Sequence, residues 1–211
     1  HEDVTGKEIT STLLENALKR NNITIQEHIK MIDIVCDEDK NECYGLVVKN
    51  AAGDIDIIKS KYVVFACGGL GGLYKHSTNF RHITGDALAI ALKHDIEMEH
   101  IDYIQIHPTT LYSHKPGRRF LISESVRGEG ALLYDKNGQR FTNELQPRDL
   151  LSQAIFAQME KDGTDFVWED MRPLGEETIM KHFPNIFHRC VEEGFDPRKE
   201  PIPVVPAQHY F

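Results

Sequence analysis

A run of apolar residues that passes directly into glycines constrains the fold of this 211-residue chain more than any other feature. Residues 62–66, Tyr-Val-Val-Phe-Ala, are continuously apolar, which is typical of a strand buried on both faces of a sheet. Gly68, Gly69, Gly71 and Gly72 follow almost at once. Glycine permits tight turns and close approach of the backbone to a cofactor. Because the run lacks a complete G-x-G-x-x-G pattern, it fits a cofactor-facing turn and a plain turn after a core strand about equally well.

The segments around this run predict a helix and a small antiparallel meander. Residues 5–8, Thr-Gly-Lys-Glu, have the pattern of a capping box and open a helix with its apolar residues on one face. Short β-rich segments joined by turn residues follow at 23–25, 31–35, 44–49 and 55–59. After the glycines, Asp86 is placed to act as the N-cap of a helix over residues 87–93.

From about residue 101 the sequence predicts a different mixture of extended segments, loops and helices, and we place a domain boundary near residue 100. Residues 135–138, Asp-Lys-Asn-Gly, predict the turn of a hairpin. Prolines 197, 201, 203 and 206 predict a stiff, extended segment that leads to His209. Apolar periodicity predicts helices over residues 148–161, 176–183 and 185–193.

Charge and cysteine content narrow the classes of function. The formal net charge of −9 argues against nucleic acid and anionic membrane surfaces as partners, and it means that an anionic substrate needs locally gathered cations. No apolar run approaches the ~20 residues of a membrane span. The four cysteines form no CxxC pair and the histidines show no zinc spacing. We therefore expect reduced thiols, a cytoplasmic location and no metal site.

A set of side chains in the second half is suited to binding carboxylates. His107 precedes a proline, Arg148 follows one and His209 ends the proline-rich segment, so their backbones are restricted. Arginine binds a carboxylate with two parallel hydrogen bonds, and His and Ser123 are further donors. Glu124 is a candidate for proton transfer or for orienting an arginine. Singly, each residue also fits an ordinary loop, cap or surface role, and spacing alone does not bring them together.

Several short motifs, taken in order, resemble the flavoprotein family that holds succinate dehydrogenase, fumarate reductase and L-aspartate oxidase. They are Cys67-Gly68-Gly69, Thr84-Gly85-Asp86-Ala87, His107-Pro108-Thr109, Ser123-Glu124 with Arg127-Gly128-Glu129-Gly130, and Pro147-Arg148-Asp149. Cys67 stands where the family has a threonine. The resemblance implies an α/β plus α+β fold, with part of a Rossmann-like FAD-binding domain and its antiparallel β-meander over residues 1–100. An α+β capping domain that binds substrate follows over residues 101–210.

Residues 105–112, 182–186 and 200–210 resemble the L-aspartate oxidase subgroup in particular. That resemblance implies oxidation of L-aspartate to iminoaspartate on FAD, with oxygen or fumarate as the electron acceptor. The product would enter quinolinate and NAD biosynthesis, with a functional link to quinolinate synthase. One alternative is the flavoprotein subunit of a fumarate reductase or succinate dehydrogenase. Another is a non-catalytic cap module that binds an anion or a protein partner.

The resemblance also implies roles for individual residues. Arg148 is the catalytic acid/base and Glu124 its proton relay, while His107, Ser123, His209 and Arg148 bind the substrate carboxylates. The residues that it implies at the cofactor are Met31, Ile32, Gly68, Gly69 and Asp86. The family's glycine-rich FAD fingerprint and a further substrate arginine are not found within the 211 residues. We therefore expect the chain alone to bind FAD weakly and not to turn over.

Overall fold

A computed structural model describes residues 5–37, 39 and 42–210, so the first four residues of the predicted FAD-binding unit lie outside it. The helices of the described residues are α1 (Thr5–Leu18), α2 (Asp86–Lys93), α3 (Glu124–Gly128), α4 (Arg148–Asp162), α5 (Glu176–His182) and α6 (Pro184–Glu192). The strands are β1 (Lys30–Asp37), β2 (Glu42–Lys49), β3 (Ile55–Lys59), β4 (Gln105–Leu111), β5 (Phe120–Leu121), β6 (Leu132–Tyr134), β7 (Val167–Asp170) and β8 (Ile202–Tyr210). Within this part of the chain no helix is both long and apolar enough to cross a membrane.

The first half contains the predicted meander, with antiparallel strands in the order β1-β2-β3. The predicted strand at residues 23–25 is wrong, because these residues form an irregular link between α1 and β1. Gly45 lies beside an irregularity in the pairing of β1 with β2. Its φ is +150°, and a Cβ there would lie 2.1 Å from the carbonyl oxygen of Ile58. The close contact between β2 and β3 therefore requires glycine at this position.

The predicted buried strand at residues 62–66 is also wrong for the described part of the chain. The segment has no regular secondary structure, and Tyr62 and Val64 are 87% and 85% exposed. A strand forms when neighbouring strands satisfy its N–H and C=O groups, and no described strand lies beside this one. The apolar residues of α1, such as Leu13, are exposed as well. Both described sheets are antiparallel, and with the helices they form the mixed α and β fold that the sequence predicted, including its antiparallel meander.

The second half is built on a five-stranded antiparallel sheet with the strand order β5-β4-β8-β7-β6. Its core is apolar, and the largest fully buried side chains include Leu111, Ile122, Leu133, Leu151, Ile155, Met171, Ile179, Ile186 and Ile202. The proline-rich segment forms β8 in the middle of this sheet. Proline is rare in central strands because it lacks an N–H donor. Here Pro206 falls where the β4–β8 register shifts, and Pro203 uses its carbonyl oxygen to accept a hydrogen bond from Tyr112 N at 2.9 Å.

The predicted helices of the second half are confirmed as α4, α5 and α6 within one or two residues at their ends. The hairpin turn is confirmed too, since the Asp135 carboxylate accepts hydrogen bonds from the backbone N–H groups of Asn137 and Gln139 at 2.8 Å. The prediction for Asp86 is wrong in detail. Gly85, with φ of 76°, is the N-cap of α2, and Asp86 is its first residue. The Asp86 carboxylate instead accepts a hydrogen bond from Thr84 Oγ1 at 2.7 Å.

Candidate active site

The two candidate substrate histidines lie on neighbouring strands. His107 on β4 pairs with Ala207 on β8, and its ring lies 5.5 Å from that of His209 at an angle of 66°. Its Nδ1 lies 3.2 Å from the backbone nitrogen and 3.0 Å from the carbonyl oxygen of Thr109. Nε2 is therefore the ring nitrogen that is available to a ligand. Burial, with the nearby positive charges of His209 and Arg148, lowers the pKa of His107 to about 3. The ring is therefore neutral in the ligand-free protein at physiological pH.

His209 is held by a loop from the first half of the chain. Its Nδ1 lies 2.7 Å from Thr78 Oγ1, and Asn79 Nδ2 donates to its carbonyl oxygen at 2.9 Å. Burial, and after it the charge of Arg148, lowers the pKa of His209 below its usual value. Sequence reasoning missed Thr78 and Asn79. The polar run Ser77-Thr78-Asn79 was the available signal, but polar loop residues carry no periodicity that points to a contact 131 residues away.

Arg148 is the first residue of α4, a position where its charge is unfavourable to the helix dipole. Two polar side chains fix the guanidinium there. Its Nε and Nη2 lie 2.8 and 2.7 Å from Glu124 Oε2, and its Nη1 donates to Gln105 Oε1 at 2.9 Å. A charge-assisted pair of this geometry orients the guanidinium plane. The structure thus brings Arg148 and Glu124 together, and it adds Gln105, to which the sequence assigned no role.

Ser123 and Arg127 have structural roles beside any functional one. Ser123 is the N-cap of α3, since its Oγ accepts a hydrogen bond from Ser125 N at 3.3 Å. Arg127 is buried, and its Nη1 donates to the carbonyl oxygen of Glu144 at 2.6 Å. This contact joins α3 to the loop before α4. The segment is therefore more than a polar surface turn.

A cleft of about 990 Å³ lies beside some of these residues, whereas His107 is buried and lines neither the cleft nor the pocket next to it. Among the residues that line the cleft are Gly68, Gly69, Thr78, Arg118, Arg119, Ser123, His209 and Tyr210. Arg148 and Gln105 line an adjoining pocket of about 780 Å³ that shares Tyr210 with the cleft. Two arginines in the wall, with a third beside Tyr210, supply the local positive charge that an anionic substrate needs on a chain of net charge −9.

The glycine run divides into two parts with different purposes. Gly68 and Gly69 line the cleft, and Gly68 has a φ of 78° that favours glycine. Gly71 and Gly72 are required by packing, because Cβ atoms there would lie 2.3 Å from Gln208 Oε1 and 2.5 Å from the carbonyl oxygen of Arg81. The two pairs therefore differ in their surroundings: one lines the cleft and the other lies in a packed contact. A cofactor contact at Gly68 and Gly69 stays a prediction.

The lining of the cleft has the kinds of groups that one edge of a flavin needs. It combines the side-chain-free backbone of Gly68 and Gly69, the apolar side chain of Leu88, the hydroxyl of Thr78 and the amide of Asn79. A planar ring with an apolar face and a rim of hydrogen-bonding atoms needs such a surface. Three of the residues predicted at the cofactor, Met31, Ile32 and Asp86, do not line this cleft.

Comparison with known proteins identifies the family of the chain. The sequence profile described as "FAD binding domain" matches residues 1–211. The chain is 47% identical to an L-aspartate oxidase of Clostridium perfringens, over 100% of the chain and 48% of that protein. It is 40% identical to the L-aspartate oxidase of a Nostoc species, over 99% of the chain and 38% of that protein. The chain thus spans about half the length, or less, of these relatives.

Solved structures of fumarate reductases share the fold of this chain. A quinol–fumarate reductase structure with menaquinol superimposes with a TM-score of 0.83 at 34% identity, over 100% of this chain and 40% of that one. A flavocytochrome c3 fumarate reductase in an open conformation gives a TM-score of 0.67 at 27% identity, over 97% of this chain and 45% of that one.

Proposed function

The chain belongs to the family of FAD binding domains, which it matches over residues 1–211, and on this premise we propose that it forms the substrate-binding wall of a flavin-dependent L-aspartate oxidase. The observation that supports the proposal is the pair of neighbouring rings of His107 and His209, next to a cleft lined by Gly68, Gly69 and His209, with Arg148 in the adjoining pocket. The relatives named L-aspartate oxidase support the choice of substrate. FAD is the cofactor of the family.

The side chains divide the work of binding a dicarboxylate. With Nδ1 accepting a hydrogen bond from Thr109 N, a neutral His107 carries its proton on Nε2 and donates one hydrogen bond from there. His209 offers its second ring nitrogen on the neighbouring strand. Arg148 contributes a permanent positive charge and a planar set of donors. When bound, FAD supplies the acceptor for the two electrons that leave the substrate's C–N centre.

Proton transfer is assigned to Arg148 and Glu124. An arginine is a poor base at its usual pKa, so a proton that it gives or takes needs a partner with a carboxylate. Glu124 Oε2 lies within 2.8 Å of both Nε and Nη2, which is hydrogen-bond distance for such a relay. Glu124 is also more than half exposed, so it can exchange protons with solvent.

The wider assignments are part of the same proposal. Residues 1–100 form the flavin-side unit and residues 101–210 the capping unit, in line with their two separate sheets. L-Aspartate and fumarate are the small-molecule substrates. Iminoaspartate, the product, enters quinolinate and NAD biosynthesis in the cytoplasm, with a functional link to quinolinate synthase.

A second candidate is the flavoprotein subunit of a fumarate reductase or succinate dehydrogenase. The TM-score of 0.83 at 34% identity to a quinol–fumarate reductase favours it. Assays of the intact flavoprotein with L-aspartate and with succinate as electron donors separate the candidates. Oxidation of L-aspartate with release of an imine product supports the oxidase. Oxidation of succinate alone contradicts it.

The role of Arg148 is tested by Arg148→Leu in the intact flavoprotein. We expect fumarate reduction to fall by at least about a thousandfold while the flavin stays bound, because removal of a proton donor and carboxylate ligand acts on the transition state. Arg189→Leu, which removes an arginine paired with Glu192 on α6, is the matched control and should leave the rate unchanged. Near-normal turnover by Arg148→Leu would sink the assignment.

A further inference from the structure

A second group of reactive side chains lies outside the cleft, where α2 meets the edge of the meander. His94, which directly follows α2, has its Nδ1 3.1 Å from Cys36 Sγ and its Nε2 2.7 Å from Asp33 Oδ1. Both partners are on β1. The imidazole stands between the thiol and the carboxylate, so the three groups do not converge on one point. Consistently, no cluster suited to a metal ion is found among residues 5–37, 39 and 42–210.

This order of groups is the one that activates a cysteine. Hydrogen bonds from Lys93 and then from His94 lower the pKa of Asp33 to about 2, so Asp33 is a carboxylate. A carboxylate next to Nε2 accepts a hydrogen bond from the N–H of that nitrogen. In the neutral ring Nδ1 then carries no proton and is an acceptor. Nδ1 can then take the proton of the Cys36 thiol and hold a thiolate beside an imidazolium. Among the contacts of the described residues, the charged groups at the ring are Asp33 and the exposed Lys93, which pairs with Asp33.

A second cysteine lies directly across the sheet. In the antiparallel register of β1 and β2, Cys36 pairs with Cys43. Directly opposed residues in such a pair have Cβ atoms roughly 4.5–5.5 Å apart, and a disulfide needs about 3.5–4.5 Å. The pairing is irregular between Val35 and Cys36. A backbone at such an irregularity can shift enough to bring the two Cβ atoms to disulfide distance. Both cysteines are half-buried.

The other two cysteines provide internal comparisons. Cys67 is exposed, and among the described contacts no imidazole or carboxylate approaches its sulfur. Cys190 is buried in the core of the capping unit, and burial raises the pKa of its thiol to about 12. Neither has the arrangement of Cys36.

We propose that Cys36 is a peroxide-reactive thiol activated by His94 and Asp33, and that Cys43 is the partner that resolves it into a cross-strand disulfide. The Cys36 thiol and hydrogen peroxide give a sulfenic acid and water, as the sulfur is oxidised by two electrons and the O–O bond breaks. The Cys43 thiol then attacks this sulfur, an S–S bond forms, and a second water leaves. The balance needs only one equivalent of peroxide.

The reaction of Cys36 goes beyond the proposed function. It does not depend on that function, because hydrogen peroxide can be added to the protein from outside. If oxygen accepts the electrons of the flavin, peroxide is also the product made by the same molecule. Oxidation would lock the edge strand of the meander to its neighbour, next to the end of α2. Thiol–disulfide exchange with cellular thiols would reverse it.

The test uses hydrogen peroxide on the reduced intact flavoprotein, followed by isotope-coded alkylation and peptide mass spectrometry of each cysteine. We expect Cys36 to be oxidised at least about tenfold faster than Cys67, and to appear in a peptide cross-linked to Cys43. In Cys43→Ser, Cys36 should stop at the sulfenic acid, which a 1,3-dione traps. Equal rates at Cys36 and Cys67, or absence of the cross-link, would overturn the proposal.

Three further variants test the activation itself. His94→Ala and Asp33→Asn should each slow the reaction of Cys36 by at least about tenfold. His188→Ala, a matched loss of an imidazole on α6, should leave it unchanged. Circular dichroism and the alkylation rate of Cys67 establish that each variant is folded, and Asp33→Asn keeps the shape of the side chain if His94→Ala does not fold. A folded Asp33→Asn protein with an unchanged Cys36 rate contradicts the inference.

Discussion

The carboxyl group of Glu169 should make the stability of this protein depend on pH in the direction opposite to most acidic residues. Glu169 lies on β7 and is 0% exposed, and neither of its side-chain oxygens has a hydrogen-bond partner among the described residues. The Arg127 guanidinium is near enough to favour the carboxylate, yet its Nε and Nη2 are buried without partners as well. Burial dominates and raises the pKa of Glu169 from 4.5 to about 8.

The size of the effect follows from proton linkage. A folded-state pKa above the unfolded value means that the folded protein holds the proton more tightly. The resulting stability is fully present below pH 4.5 and is lost as the pH rises towards 8. Between about pH 5 and about pH 7 the free energy of unfolding should fall by about 2.5 kcal/mol on account of this one group.

Glu169→Gln isolates that contribution, because the amide is close in shape to the neutral acid and does not titrate. Urea unfolding of the wild type and the variant at about pH 5 and pH 7 gives the comparison. The variant should match the wild type within about 1 kcal/mol at the lower pH and exceed it by about 2–3 kcal/mol at the higher pH. Glu192→Gln, which changes an exposed glutamate, is the control. A variant less stable than the wild type at pH 7 refutes the reasoning, since Glu169 would then be an ionised partner of Arg127.

The remaining predictions concern the site and the meander. His107→Ala and His209→Ala should each raise the KM for the dicarboxylate by at least about tenfold in steady-state assays, and an unchanged KM in both counts against the site. The pKa of each histidine is lowered in the free protein, so the negative charge of a bound dicarboxylate should raise it again. The protein should then take up protons on binding, which calorimetry in buffers of different ionisation enthalpy detects. Gly45→Ala should destabilise the chain by about 2 kcal/mol or more in urea unfolding, because the new Cβ meets Ile58 O at 2.1 Å. Gly53→Ala, whose Cβ meets nothing closer than 3.7 Å, should cost less.

The sequence predicted those elements whose signals are local. Helix α4 has apolar periodicity and ends at Gly163, and the Asp135 turn carries its own hydrogen-bonding side chain. Strands depend on partners elsewhere in the chain, and this is where prediction failed. Residues 62–66 have the composition of a buried strand but lack a neighbouring strand among the described residues. The segment around Pro203 has the composition of an isolated extended chain but pairs on both sides as β8.

The candidate site divides in the same way. His107, Arg148 and Glu124 stood in motifs whose order pointed to a common site, and the structure joins Arg148 to Glu124 and to Gln105, which lies on the same strand as His107. Thr78 and Gln105 could not be found, because a polar residue that holds another side chain has no pattern of its own. Their contribution is visible only once the backbone brings distant segments into contact.

The contact between the loop at residues 76–79 and β8 also bears on the order of folding. Thr78 and His209 are separated by 131 residues and joined by one hydrogen bond. Such a pairing closes a long loop, and its entropic cost is met only after the intervening sheet has formed. The His209 ring is therefore oriented at a late step. In a chain whose capping unit has folded but whose 76–79 loop has not docked, His209 stands on β8 without the Thr78 contact, so the affinity for the proposed dicarboxylate reports on completed folding.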